Sequence, residues 1–399
     1  MPHFDHIAQQ AIIHIQHLSE TIGGRGSCTP NEKRAADYVA RVMQAAGLSS
    51  VRIEPYRGAP STYRPYALAF GLALFGTLLA WLFPNRLVWL VAATLHLLGA
   101  KGMLAETDFV PNWTRWLLPA ANSQNVVGYV PACKETRRRV VLCAHIDTHR
   151  TPVFYSSAAW QALFGYLVSA AFLSLILGAA IYITGALFDW NGALWIGLLF
   201  AAVQLLALGL CLQADFTPFS PGANDNASGV GVILEVGKCL VEQPLEHTEV
   251  WLAFTGCEET ASYGMASFLD AHAGALGKDT LYIILDEVGL GTINYLTKDG
   301  LIRKHPTHPQ ALSLARQAAS ALQGFEVVEK VGIAYTDALA ATRRGLIALT
   351  VNAYLKPGKN EEMHWHQMSD TSDHVDPQAL SNAAAFTWKV LETIDSNLN

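Results

Sequence analysis

Two runs of the chain carry no charged side chain: residues 158–188 and residues 192–213. Each exceeds the roughly 20 apolar residues that an α-helix needs to cross a bilayer. Such a run has few ways to fold. Its backbone must satisfy its own hydrogen bonds as a helix, and its side chains must face lipid or other apolar helices. The short polar tip Asp189-Trp190-Asn191 joins the two, so together they read as a transmembrane hairpin. Residues 66–83 and 87–100 read the same way around the turn Pro84-Asn85-Arg86. The second of these needs residues 102–104, past Lys101, to reach spanning length. The alternative for this earlier pair is a helical hairpin buried in a large core. Trp81, Trp89, Trp113 and Trp116 fall near the ends, where interfacial aromatics sit.

A hairpin returns the chain to the side it left. The segments 1–64, 105–156 and 214–399 can therefore form one domain, interrupted by insertions at 65–104 and 157–213. Charged residues make up only 15% of the 399, against 51% hydrophobic, which agrees with membrane contact. A net charge of −6 gives no nucleic-acid surface. Arg57, Arg64, Lys101, Arg115 and Arg150 flank the apolar runs on the domain side, against Arg86 and Asp189 at the tips. Positive residues favour the cytoplasmic side, so a multi-pass protein of about four helices with a cytoplasmic domain is expected. The start of the chain, MPHFDHIAQQ, lacks the basic and apolar regions of a cleaved signal peptide. The six cysteines show no CxxC spacing and no disulfide framework.

The remaining sequence alternates. Residues 4–48 read as two amphipathic helices around the turn Gly23-Gly24-Arg25-Gly26-Ser27, with Gly47 as a C-cap. Strands are expected at 51–54, 125–130, 140–144, 248–254, 281–285 and 346–351. Helices are expected at 230–241, 262–271, 309–322 and 379–394. The charged run 134–139 reads as a hairpin loop. Continuous apolar strands separated by helices imply an α/β fold. Its central sheet is mostly parallel but mixed, is flanked by helices, and carries the inserted transmembrane hairpins.

Three of the apolar strands run into residues that bind metals or move protons: His145 with Asp147, Glu258 with Glu259, and Asp286. Asp225 lies in the loop Pro221-Gly-Ala-Asn-Asp-Asn-Ala-Ser-Gly229, which can continue neither helix nor strand. A last cluster, His364-Trp-His-Gln-Met-Ser-Asp370-Thr-Ser-Asp-His374, precedes the final helix. Each piece alone has an ordinary structural reading: a surface pair, a helix start or a helix cap. Their order on successive strand ends gives them weight, because open α/β sheets place sites beyond the carboxyl ends of strands. Imidazoles and carboxylates in this number suit a hydrolytic two-metal site.

The series HxD, GxNDNxSG, EE, D and HxxxDT is similar to the M28 family of zinc exopeptidases. The resemblance covers roughly 1–60, 105–155 and 214–399 and leaves out the apolar hairpins. It implies that His145 and Asp286 hold one Zn2+, that Glu259 and His366 hold another, and that Asp225 bridges them. It implies Glu258 as general base and Asp147 as the residue that orients His145. Of His364, His366 and His374, the family pattern selects His366, four residues before Asp370-Thr371. The family's SDH signature corresponds to Tyr335-Thr-Asp-Ala338, where alanine stands in place of the histidine. The implied activity is a membrane-anchored aminopeptidase acting on peptides with a free N-terminus. A glutaminyl cyclase-like enzyme with one zinc and an inactive scaffold on the same fold are the alternatives. A transporter would show ionisable residues inside the hairpins, and apart from Lys101 and the charges at the tips the apolar runs hold only His96 and a few polar residues.

Overall fold

The computed structural model describes residues 2–355 and 364–397. In chain order it contains helices α1 (Phe4–Gln16) and α2 (Pro30–Ala45), strand β1 (Ser49–Gly58), and helices α3 (Tyr63–Leu82), α4 (Arg86–Thr107) and α5 (Trp113–Leu117). Strands β2 (Ala121–Val130) and β3 (Arg138–His145) follow, then α6 (Ala158–Phe188), α7 (Gly192–Asp215) and α8 (Gly229–Glu242). Next come β4 (Thr248–Thr255), α9 (Tyr263–Leu276), β5 (Leu281–Leu285), β6 (Thr292–Asp299), β7 (His305–Pro306) and α10 (Pro309–Ala321). The described elements end with β8 (Val328–Val331), α11 (Asp337–Thr342), β9 (Ile347–Tyr354) and α12 (Pro377–Ser396).

The chain divides into two units. The first comprises Met1–Pro60, Ala120–His149 and Phe219–Asn399. Its described strands form one mixed sheet in the order β1-β2-β4-β3-β5-β9-β6-β7, with β8 beside β6. At its centre β4, β3, β5 and β9 run parallel. These strands are buried over most of their length, with Val140, Leu142, Leu252, Phe254, Ile283 and Leu349 at 0% exposure. That burial explains why they read as continuous apolar runs rather than alternating ones. Helices α1, α8 and α12 pack together over the sheet through Ile7, Ile15, Val232, Val236, Phe386 and Leu391.

The charged run at 134–139 does not close a hairpin. Strand β4 lies between β2 and β3, antiparallel to the first and parallel to the second. A polar connection of this length looks the same in sequence whether the strands it joins are paired or separated by another. Strand β1 runs to Gly58, well past 51–54, as an antiparallel edge with Pro55 and Arg57 tolerated there. Strands β6, β7 and β8 and helices α5 and α11 are additional to the sequence expectation.

The second unit comprises Ser61–Pro119 and Arg150–Pro218. It contains four helices long and apolar enough to cross a membrane: α3, α4, α6 and α7. Helix α3 packs on α4 and α7, and α6 packs on α4 and α7. Small residues line their contacts, among them Ala80, Ala92, Ala93, Ala179 and Ala186 around Trp89 and Tyr182. The outer faces are apolar as well. Leu87 is 72% exposed, Phe75 53% and Leu199 68%. Leu87 and Phe75 lie within residues 63–107, so this pair too carries large apolar side chains on its outer face.

Candidate metal centre

Parallel strands β4, β3 and β5 end side by side, with His145 opposite Thr255 in the register. This geometry brings the residues that follow each strand together at one edge of the sheet. His145 is the last residue of β3, Asp286 follows β5, and Glu258 and Glu259 lie in the turn after β4. Asp225 and His366 come from the two loops that lie over that edge. His145, Asp225, Glu258, Glu259, Asp286 and His366 are all under 9% exposed.

Asp225 sits between two imidazoles. One of its oxygens is 3.2 Å from Nε2 of His145, and the other is 3.1 Å from Nε2 of His366. His145 Nε2 is also 3.4 Å from Asp286, and His366 Nε2 is 3.5 Å from Glu259. Two donor groups result: His145 with Asp225 and Asp286, and His149 with Glu259 and His366. The two are joined through Asp225. The structure thus assembles all five residues singled out as ligands in the sequence, and adds His149. His364 and His374 stay apart from this cluster, their rings stacked on each other 3.9 Å apart.

Carboxylates outnumber cations here. Burial pushes the carboxyls of Glu258, Glu259 and Asp286 up, and neighbouring acids push Glu259 further. Burial acts the same way on Asp225, but its hydrogen bonds with His145 and His366 outweigh it and hold this carboxyl far below the usual range. Among the described residues, one oxygen each of Glu258 and Glu259 has no hydrogen-bond partner although both are buried. Buried carboxylates of this density call for a bound cation, and imidazole with carboxylate is a donor set that zinc accepts. Cations would displace the protons that burial otherwise retains.

A second layer holds these groups in place. The Asp147 carboxylate accepts from the backbone N–H of Glu258 at 3.1 Å and of Glu259 at 3.3 Å, and from the Ser27 hydroxyl at 2.6 Å. His145 Nδ1 is closer to the Asp147 carbonyl oxygen, 3.1 Å, than to its carboxylate, 3.6 Å. The Asp147 backbone therefore faces the imidazole, and its side chain holds the glutamate turn. Asp370 accepts from the N–H groups of Asn224 at 2.7 Å and Asp225 at 3.1 Å, fixing the bridging loop. Asn226 donates to the Leu285 carbonyl at 2.8 Å and accepts from Gly229 N–H at 3.1 Å, tying that loop to β5. Gly222 has a φ of +63°, and a Cβ there would lie 2.3 Å from Thr148 Cγ2, so only glycine fits.

Sequence reasoning missed two residues, Arg25 and His149. Arg25 is 0% exposed. Its guanidinium donates to the carbonyls of Ile146 at 2.9 Å, Leu18 at 2.9 Å, Pro221 at 2.6 Å and Gly222 at 2.8 Å. It clamps the end of β3 to the loop that carries Asp225. A lone arginine in a glycine turn gives no sequence signal of this. His149 stacks on His366, and no motif contains it. The left-handed backbone at Cys28, Cys257, Glu287 and His366 gathers around the same site, where such conformations mark functional sites.

Residues 213–391 match the model of Peptidase family M28. The probable lipoprotein aminopeptidase LpqL of Mycobacterium tuberculosis is 28% identical over 209 residues, covering 44% of this chain and 40% of the relative. Aminopeptidase YwaD of Bacillus subtilis is 43% identical over 56 residues, 14% of this chain and 12% of the relative. The chain thus spans less than half the length of these curated relatives. A zinc aminopeptidase from Bacillus subtilis has a similar fold, with a TM-score of 0.58 at 16% identity over 96% of this chain and 94% of that one. A glutaminyl cyclase from Bacteroides thetaiotaomicron is similar too, with a TM-score of 0.56 at 16% identity over 98% of both chains. The chain is thus similar to peptidase family M28 through residues 213–391 and shares its fold with zinc aminopeptidases.

Proposed function

We propose that this chain is a membrane-anchored metallo-aminopeptidase with two zinc ions, cleaving the first peptide bond of substrates with a free N-terminus. The observation that carries this reading is the position of Asp225, with one oxygen toward His145 and the other toward His366. A carboxylate so placed suits a bridge between two cations. His145 and Asp286 would hold one ion, and Glu259 and His366 the other. Zinc supplies Lewis acidity toward a carbonyl oxygen and lowers the pKa of water.

Glu258 is the general base in this scheme. It sits next to Glu259 in the turn that Asp147 holds, and its buried oxygen has no other partner among the described residues. It takes the proton of the attacking water and returns it to the departing amine. Its buried carboxyl is pushed up, which suits a group that must both accept and release a proton near neutrality. The surplus of carboxylate around the cluster offers anchorage to a substrate ammonium. Helices α3, α4, α6 and α7 span the bilayer as two hairpins, which places all of the first unit on one side, the cytoplasmic one by its flanking arginines.

The test is zinc per chain in detergent-purified protein, with release of chromophore from a panel of aminoacyl-nitroanilides. About two zincs with hydrolysis that chelation abolishes would support the reading. One zinc, no hydrolysis and cyclisation of an N-terminal glutaminyl peptide would replace it with the cyclase. Absence of metal would leave an inactive scaffold.

A further inference from the structure

Cys28 and Cys257 hold their sulfurs 3.4 Å apart, although they are 229 residues apart in sequence. We infer that this pair is a redox modification site, which closes into a disulfide on exposure to a peroxide and thereby displaces the general base. A disulfide needs an S–S distance of about 2.05 Å, so the sulfurs must approach by a little over an ångström. Nothing stands between them. Gly58 lies alongside, and a Cβ on it would fall 2.6 Å from the Cys257 sulfur and 3.2 Å from that of Cys28. Glycine there leaves the space that the two thiols occupy.

Access and location differ between the two. Cys28 is partly exposed and Cys257 is buried. A peroxide therefore meets Cys28 first. The Cys28 sulfur attacks one peroxide oxygen, the O–O bond breaks, and sulfenic acid and water form. The Cys257 sulfur then displaces the sulfenic hydroxyl as a second water, and the S–S bond closes. Two thiols have lost two electrons in all to one peroxide.

Cys257 directly precedes Glu258. Both cysteines are tied to one carboxylate: Glu32 accepts the N–H of Cys257 at 3.0 Å and that of Cys28 at 2.9 Å. The linkage is thus short and stiff, and drawing the Cys257 sulfur toward Cys28 pulls the turn that bears Glu258. A shift of about 1 Å in a positioned group costs on the order of 100-fold in rate. The formation of the bond stands apart from the hydrolytic reading; the effect on turnover rests on that reading.

The experiment treats the full chain in detergent with hydrogen peroxide, alkylates free thiols, and maps peptides by mass. Turnover is read in parallel. The expected result is a peptide linked through Cys28 and Cys257, with a 10- to 100-fold loss of turnover that thiol reductant reverses. Cys28→Ser, whose side chain lies outside the catalytic machinery, should keep its rate under the same peroxide, and Cys257→Ala should yield no linked peptide. The inference fails if both cysteines alkylate fully after peroxide. It fails equally if the bond forms without change in turnover, or if Cys28→Ser loses rate as the parent does. A reduced parent with no hydrolysis at all would overturn the proposed function instead, while the peptide map would still decide whether the bond forms.

Discussion

His149 lies face to face with His366, their ring centroids 3.7 Å apart and their planes inclined by only 14°. A histidine binds zinc in the plane of its ring at about 2.0–2.1 Å. Two parallel rings at this spacing cannot both aim a lone pair at one ion without one of them turning. Although His149 is within reach of that donor group, its stacking is expected to be its role, holding the His366 ring toward Asp225 and Glu259. His149→Phe keeps a flat ring and removes the nitrogen donors, and should bind zinc within a few-fold of the parent. His149→Ala removes the stack and should weaken zinc binding about 10- to 100-fold, the usual cost of losing a group that orients a ligand. Metal titration by calorimetry checks this. Equal losses in both variants would make His149 a ligand.

Glu258 and Glu259 are neighbours with opposite assignments. Glu258→Gln should lower kcat about 100- to 10,000-fold while zinc per chain stays unchanged, since the amide keeps the shape and removes the proton acceptor. Glu259→Gln should lower zinc content itself. Elemental analysis beside steady-state kinetics separates the two. Loss of metal from the Glu258 variant alone would reverse the roles.

The fold was legible where burial was one-sided in sequence. Val140 to Ala144 and Leu281 to Leu285 are uninterrupted apolar runs because both faces of those strands are covered, and each stops at a metal-type residue. The same sharp ending made His145 and Asp286 visible. Helices α6 and α7 were equally plain, since their surfaces are apolar all round. Strand β6 was not, because Thr292-Ile-Asn-Tyr-Leu-Thr-Lys-Asp mixes buried and exposed positions near an edge. Helix α11 is only six residues long and shows no full turn of pattern. What stayed out of reach at the site were contacts across long sequence separations: Arg25 to Gly222, Ser27 to Asp147, and Asp370 to Asn224. Spacing cannot encode these, because the fold alone brings the partners together.

Arg25 should matter for folding more than for chemistry. Arg25→Met removes the donor from the buried carbonyl oxygens of Ile146 and Pro221, each costing about 1–3 kcal/mol, while those of Leu18 and Gly222 keep the backbone N–H groups of Gly23 and Ala227. The variant should lose at least about 2 kcal/mol of stability, read as a lower unfolding midpoint of the first unit by thermal or denaturant melting. Arg25→Lys should not restore it, because one ammonium cannot reproduce the planar fork that reaches Ile146, Leu18, Pro221 and Gly222 together. A midpoint within a degree of the parent would show that the clamp is dispensable.

The tip between α6 and α7 tests the membrane arrangement. Asn191 is exposed there, and the neighbouring Asp189 pairs with Arg86 of the other tip at 3.2 Å. A paired surface charge of this kind contributes at most about 1 kcal/mol, so replacing Asn191 beside it should leave the fold intact. Cys133, exposed on the first unit, offers a natural probe of the other side. In sealed cells, a membrane-impermeant maleimide should label Asn191→Cys directly and reach Cys133 only after permeabilisation. The reverse pattern would turn the protein over in the bilayer, with the catalytic unit outside. Labelling of both from one side would mean that these helices do not span, and their exposed leucines and phenylalanines would then need another apolar partner.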